Sequence, residues 1–143
     1  MTENIELQEL REVESGSFKT SGYQGRVLTF NWSVSSRNIE ENYTDINWNI
    51  TGSDGNSNTF YYAGNFKVII EGEQVYYSAT RIKLWNNTVV ASGTKRIYHN
   101  NDGSKSFSAY VEASIYSYNV NATGTESFEL KSIPRQADMT SAN

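Results

Sequence analysis

One side chain of this protein titrates near neutral pH, His99. It lies in His99-Asn100-Asn101-Asp102-Gly103-Ser104-Lys105-Ser106-Phe107. An imidazole there could ligate a metal or act as a general base. Either chemistry needs partners. With no Cys and no second His, a zinc site would need carboxylates or water at every other position, an unusual set. Spacing picks out no Ser–His–Asp arrangement. Asn and Asp tolerate left-handed backbone, and Gly103 takes positive φ without steric cost. The segment therefore reads as a turn, with the imidazole hydrogen-bonded to backbone. His99, Asn101, Asp102 and Gly103 are assigned to that turn.

The acids are the next place to look. Asp54-Gly55-Asn56-Ser57-Asn58 spaces oxygen side chains as a calcium loop does. An EF-hand would also want Gly at its sixth position and Glu at its twelfth. Those positions are Thr59 and Asn65, so the match fails and a solvated loop is expected. Asn101 and Asp102 make an even weaker calcium pair. Glycoside cleavage needs two carboxyl groups roughly 5–10 Å apart across a cleft. Glu40, Glu41, Glu71 and Glu73 fall in turn-like segments, and Glu112, Glu126 and Glu129 fall on the expected solvent face of strands. No catalytic residue, metal or cofactor is expected.

Aromatic side chains are more promising. Phe60-Tyr61-Tyr62, Tyr76-Tyr77 and Tyr116-Ser117-Tyr118 are closely spaced, and Trp85 sits beside Asn86 and Asn87. Adjacent residues of a strand point to opposite faces, so one member of an adjacent pair must face away from the core. Exposed Tyr and Trp serve protein interfaces and sugar platforms, and they also line ordinary sheet surfaces. Tyr61, Tyr62, Tyr76, Tyr77, Trp85, Tyr116 and Tyr118 are thus the candidate binding residues, for a protein or a glycan.

The elements that must position these residues follow from composition and periodicity. The 143 residues include 10 Tyr, 6 Phe and 3 Trp, one Pro and no Cys. Aromatic and β-branched residues suit a pleated, half-buried surface. In Arg26–Val34, Leu28, Phe30, Trp32 and Val34 alternate with polar residues, and Ile46, Trp48 and Ile50 do the same in Tyr43–Thr51. This period of two marks half-buried strands, with Trp32 and Trp48 at the centre of the core. Asn65–Glu71 and Gln74–Ala79 flank a Glu71-Gly72-Glu73 hairpin signal, and Arg81–Trp85 follows. Val89–Tyr98 and Lys105–Tyr118 read as the arms of a long hairpin closed by the His99 turn. In the second arm Phe107, Ala109, Val111, Ala113 and Ile115 share one face. Thr125–Ile133 completes the set, and Pro134 ends it. Ser15–Ser17, Ser35–Asn42 and Asn119–Gly124 read as breaks or turns, and Ile5–Val13 as a short helix or an edge strand.

About eight strands with regular turns and no α/β alternation predict an all-β fold, an antiparallel β-sandwich of immunoglobulin-like or jelly-roll-like type. The expected division is an N-terminal extension over 1–14, the sandwich over 15–135 and a polar tail over 136–143. A net charge of −4 without a basic run argues against nucleic acid. No apolar stretch approaches the roughly 18 residues of a membrane helix. Met1–Glu6 lacks the regions of a signal peptide, implying either no export by that route or a piece of a longer chain. Asn-x-Ser/Thr triplets at Asn31, Asn42, Asn49, Asn86 and Asn121 follow from the Asn, Ser and Thr content.

Several segments, taken in order, resemble one family. They are Ser15-Gly16-Ser17-Phe18, Leu28-Thr29-Phe30-Asn31-Trp32, Ile46-Asn47-Trp48-Asn49-Ile50, Val68-Ile69-Ile70-Glu71-Gly72-Glu73-Gln74-Val75-Tyr76, Ala91-Ser92-Gly93, the Tyr98–Phe107 segment and Phe128–Arg135. Together they are similar to minor structural and tail-associated proteins of tailed phages and prophages of Gram-positive bacteria. The pair formed by His-Asn-x-Asp-Gly and the closing Ile-Pro-Arg is the most specific part. The resemblance implies a virion component made in the bacterial cytoplasm and placed near the tail tip or adhesion apparatus. Its partners would be copies of itself in threefold or sixfold symmetry, or other virion proteins. The alternative is a carbohydrate-binding module for host cell-wall polysaccharide. The resemblance supplies no catalytic residues.

Overall fold

A computed structural model describes residues 14–55, 61–116 and 120–135. The expectations for Ile5–Val13 and the polar tail lie outside these residues. Nine strands are found among them: β1 (Ser15–Lys19), β2 (Leu28–Asn38), β3 (Tyr43–Gly52), β4 (Tyr61–Ile70), β5 (Glu73–Ser78), β6 (Ile82–Leu84), β7 (Thr88–Tyr98), β8 (Lys105–Ile115) and β9 (Val120–Leu130). They form two antiparallel sheets, β1-β2-β3-β7 and β5-β4-β8-β9, with β6 also paired to β4. The fold is an antiparallel β-sandwich.

Its core is made by the alternation seen in the sequence. Leu28, Phe30 and Trp32 of β2, and Ile46, Trp48 and Ile50 of β3, are buried. Phe107, Ala109, Val111, Ala113 and Ile115 bury against them from β8. Trp32 binds the two layers. Its ring meets Phe107 edge-on at 5.0 Å and Phe128 at 5.3 Å between centroids. Such pairs add about 0.5–1.5 kcal/mol each beyond area burial. The two core tryptophans each face a glycine on the neighbouring strand, Trp32 opposite Gly16 and Trp48 opposite Gly93. A Cβ at either glycine would press into the indole, 2.6 Å from Trp32 Nε1 or 2.9 Å from Trp48 Cζ2.

Several expectations are corrected. Val89–Tyr98 and Lys105–Tyr118 do not form a hairpin. β7 pairs with β3 in one sheet, and β8 pairs with β4 and β9 in the other. The inward side chains of both strands face one core, so His99–Ser104 is an arch crossing between layers. Ser15–Ser17 is strand rather than break, because Gly16 lets β1 lie against the Trp32 ring. β2 continues through Ser35 to Asn38 by a bulge, and the turn is confined to residues 39–42, ending on Asn42 at φ 63°. β9 begins at Val120, inside the expected Asn119–Gly124 turn. It ends at Leu130, before Ile133, whose amide bonds Gly103 instead of a strand. Nine strands thus replace about eight. The Glu71-Gly72 hairpin is present, with φ 56° and 74° matching a type I′ turn.

Candidate functional site

The strands run so that one end of the sandwich gathers residue 14, the 39–42 turn, the 71–72 hairpin, the His99 arch and residues 131–135. The opposite end gathers the loops after β1 and β3, the Trp85 turn and the close of β8. The first end carries the candidate histidine.

His99 is 7% exposed. Its Nδ1 lies 2.7 Å from the Gly103 carbonyl oxygen, which can only accept, so Nδ1 carries the proton. In the neutral ring Nε2 then accepts from the Thr44 hydroxyl at 2.7 Å. Burial holds the imidazole below its ordinary pKa of 6.5, and the charges of Arg37 and Lys105 push the same way. The Gly103 carbonyl and Glu14 oppose them. Both ring nitrogens are occupied, so the imidazole has no free atom for a substrate. The arch is further fixed by Asn42, whose Nδ2 donates to the His99 and Asn100 carbonyls at 3.2 and 2.9 Å. Asp102 accepts from the Ser104 amide and hydroxyl at 2.9 and 2.6 Å, which lowers its pKa. Asn101 is exposed at the tip.

Residues 131–135 close over this arch. The Ile133 amide donates to the Gly103 carbonyl at 3.0 Å, and the buried Ile133 side chain plugs the end of the core. Gly103, at φ 90°, has the Ile133 carbonyl oxygen in the space a Cβ would take. Arg135 donates to the Ile39 carbonyl at 3.3 Å. Glu14 pairs with Arg37 at 3.0 Å in a buried contact and accepts from the Lys131 amide at 2.6 Å. The His99 arch and residues 131–135 therefore touch.

Three of the candidate acids have structural partners. Glu71 meets Lys105 at 2.8 Å, Glu73 meets Lys95 at 3.2 Å, and Glu112 accepts from Tyr110 at 2.6 Å, which raises the Tyr110 pKa. Among the described residues no group of His, Asp and Glu is placed to hold a metal. Asp54 is buried, and Asn56–Asn58 of the calcium-like run lie outside the described residues.

The candidate aromatics are dispersed. Tyr76 is half-buried, edge-on to Phe66 at 5.4 Å, while its neighbour Tyr77 is 50% exposed. Trp85 is 44% exposed in the β6–β7 turn. Tyr62 and Tyr116, which is 40% exposed, are brought together around Arg81. Tyr61 opens β4, paired to Leu84, and Tyr118 lies outside the described residues. Sequence reading missed a second cluster on the outward face of the first sheet. Arg96 binds Asp45 through Nε at 2.9 Å and Nη2 at 3.2 Å, which raises its pKa, and stacks on Tyr43 at 3.8 Å. Tyr43 in turn meets Tyr98 edge-on at 5.6 Å. Tyr98 is 59% exposed, against 50% for Tyr77, 44% for Trp85 and 40% for Tyr116. Its phase opposite Ile97 was visible in the sequence; the β3–β7 pairing that assembles the cluster was not. Comparisons with protein-family models, curated proteins and solved structures return no match.

Proposed function

We propose that this chain is a structural module of a phage virion, in the tail or tail tip, that works through protein–protein assembly. The observation that carries the reading is the exterior of the sandwich. Exposed Tyr77, Trp85, Tyr98 and Tyr116 are distributed over both outward faces and the loop end, whereas the one histidine is consumed in an arch. Tyr and Trp bring large contact area with a polar tip, as interfaces require. The strands of the first sheet, of 5, 11, 10 and 11 residues, at about 3.4 Å per residue and about 4.8 Å per strand give a flat face of roughly 600 Å². A standard interface takes about 800 Å² from each partner, so assembly would engage a loop end together with this face.

Two measurements test this. Mass spectrometry of purified particles from a strain carrying the gene should detect the chain, and its absence from particles overturns the assignment. Light scattering over a concentration series should show self-association or capture by a co-expressed tail protein. Replacing Tyr77 and Tyr98 together by Ser should weaken that association without unfolding the chain.

A further inference from the structure

The outward face of the second sheet carries a cation flanked by two aromatic rings, Arg81. Ala63 of β4 pairs with Ile115 on one side and with Ile82 on the other. Continuing these registers by one residue sets Tyr116 beside Tyr62 and Arg81 beside Gly64. The guanidinium carbon of Arg81 lies 5.3 Å from the Tyr62 ring centre and 5.6 Å from that of Tyr116. The Tyr116 hydroxyl occupies the space a Cβ on Gly64 would need, so a glycine is what lets this ring reach the arginine.

Arg37, Lys95, Arg96 and Lys105 each meet a carboxylate. Among the described residues no carboxylate lies within ion-pair distance of Arg81. A guanidinium that stacks face-on to a ring keeps its N–H edge available. That edge is a planar fork matched to the paired oxygens of a carboxylate or phosphate. The flanking phenol rings are amphipathic, with an apolar face and a hydroxyl able to donate or accept. A small free anion would use the fork alone; an anionic sugar uses the fork and the rings together. Arg81 and Tyr116 are exposed and Tyr62 is half-buried, on a sheet face at the end away from residues 14 and 135.

We propose that Arg81, held between Tyr62 and Tyr116, binds an anionic polysaccharide: the guanidinium edge takes a carboxylate or phosphate group and the tyrosine rings take the adjoining sugar. This goes beyond the assembly role and does not rest on it. The chain carries a net charge of −4, so polyanion binding must come from a local site rather than from general attraction.

Affinity electrophoresis of the full chain tests it, in gels holding polygalacturonate, phosphomannan or neutral mannan. The expected result is retardation by one or both anionic polymers and none by mannan. Which polymer retards tells carboxylate from phosphate. Arg81→Ala should abolish retardation. Arg81→Lys, which keeps the charge but loses the fork, should weaken it about tenfold or more, the worth of one charge-assisted hydrogen bond. Arg96→Ala, which removes a cation from the other sheet, should leave it unchanged. Gly64→Ala should displace the Tyr116 ring and match Tyr116→Leu; if Gly64→Ala does not fold, Tyr116→Leu tests the ring alone. The proposal is overturned if neither anionic polymer retards the chain, if mannan retards it equally, if Arg96→Ala loses as much as Arg81→Ala, or if Tyr116→Leu binds undiminished.

Discussion

His99 shows how much a single residue's role depends on contacts far away in sequence. Its turn composition was readable locally, but Thr44, which saturates Nε2, comes from the other side of the first sheet's turn. The neutral ring has a thermodynamic consequence. Burial lowers the folded-state pKa below the ordinary 6.5, so the unfolded chain binds the proton more readily. By linkage, stability then rises with pH through this window. His99's contribution is full above 6.5 and is lost as pH falls through the depressed folded value. Urea denaturation at a series of pH values should show the midpoint dropping on acidification below neutrality. As this is the chain's only histidine, His99→Gln should flatten that part of the profile. The variant should also cost about 1–3 kcal/mol at pH 8, because the buried Thr44 and Gly103 groups lose partners. An unchanged acid slope in His99→Gln would assign the effect to carboxylates instead.

At the scale of elements, what could be read from the sequence was whatever a strand shows by itself. The alternation in β2, β3 and β8 placed Trp32, Trp48 and Phe107 inward, and the structure agrees. What could not be read was pairing. A polar, Gly-containing run serves a hairpin and an inter-sheet arch equally, so the β7–β8 connection was legible as a turn but not as a crossing. β1 escaped notice because its inward positions are Gly16 and Phe18, too few for a period. The glycine opposite each core tryptophan is likewise a property of paired strands. Gly93→Ala puts a methyl into the Trp48 ring and should destabilise by about 1–3 kcal/mol as overpacking. Ser92→Ala, one residue away on the exposed face of the same strand, should stay within about 0.5 kcal/mol. Equal effects in thermal or urea unfolding would mean that β-propensity, and not the indole contact, governs this strand. The aromatic candidates follow the same division: Tyr77's exposure followed from alternation, while the meeting of Tyr62, Arg81 and Tyr116 needed the β4–β6 and β4–β8 registers.

For the whole molecule, the decisive feature is that one end of the sandwich is tied to residues 131–135. Both layers are paired by Leu130, and beyond it Ile133 is buried with its amide on the Gly103 carbonyl. The contact joins the arch between sheets to residues 131–135, so each needs the other in place. Ile133→Ala removes a fully buried side chain and should cost about 2–5 kcal/mol. Gly103→Ala meets the Ile133 carbonyl oxygen and strains a residue at φ 90°, so it must push the 131–135 segment away. That movement already withdraws the Ile133 side chain. The two substitutions should therefore be sub-additive, the double variant falling short of the sum by more than about 0.5 kcal/mol, the usual error of independent sites. A double-mutant cycle in urea measures it, with Ala113→Gly in β8, far from this end, as the additive reference against Ile133→Ala. Additivity at Gly103 and Ile133 would mean that the arch and the closing segment fold as separate pieces.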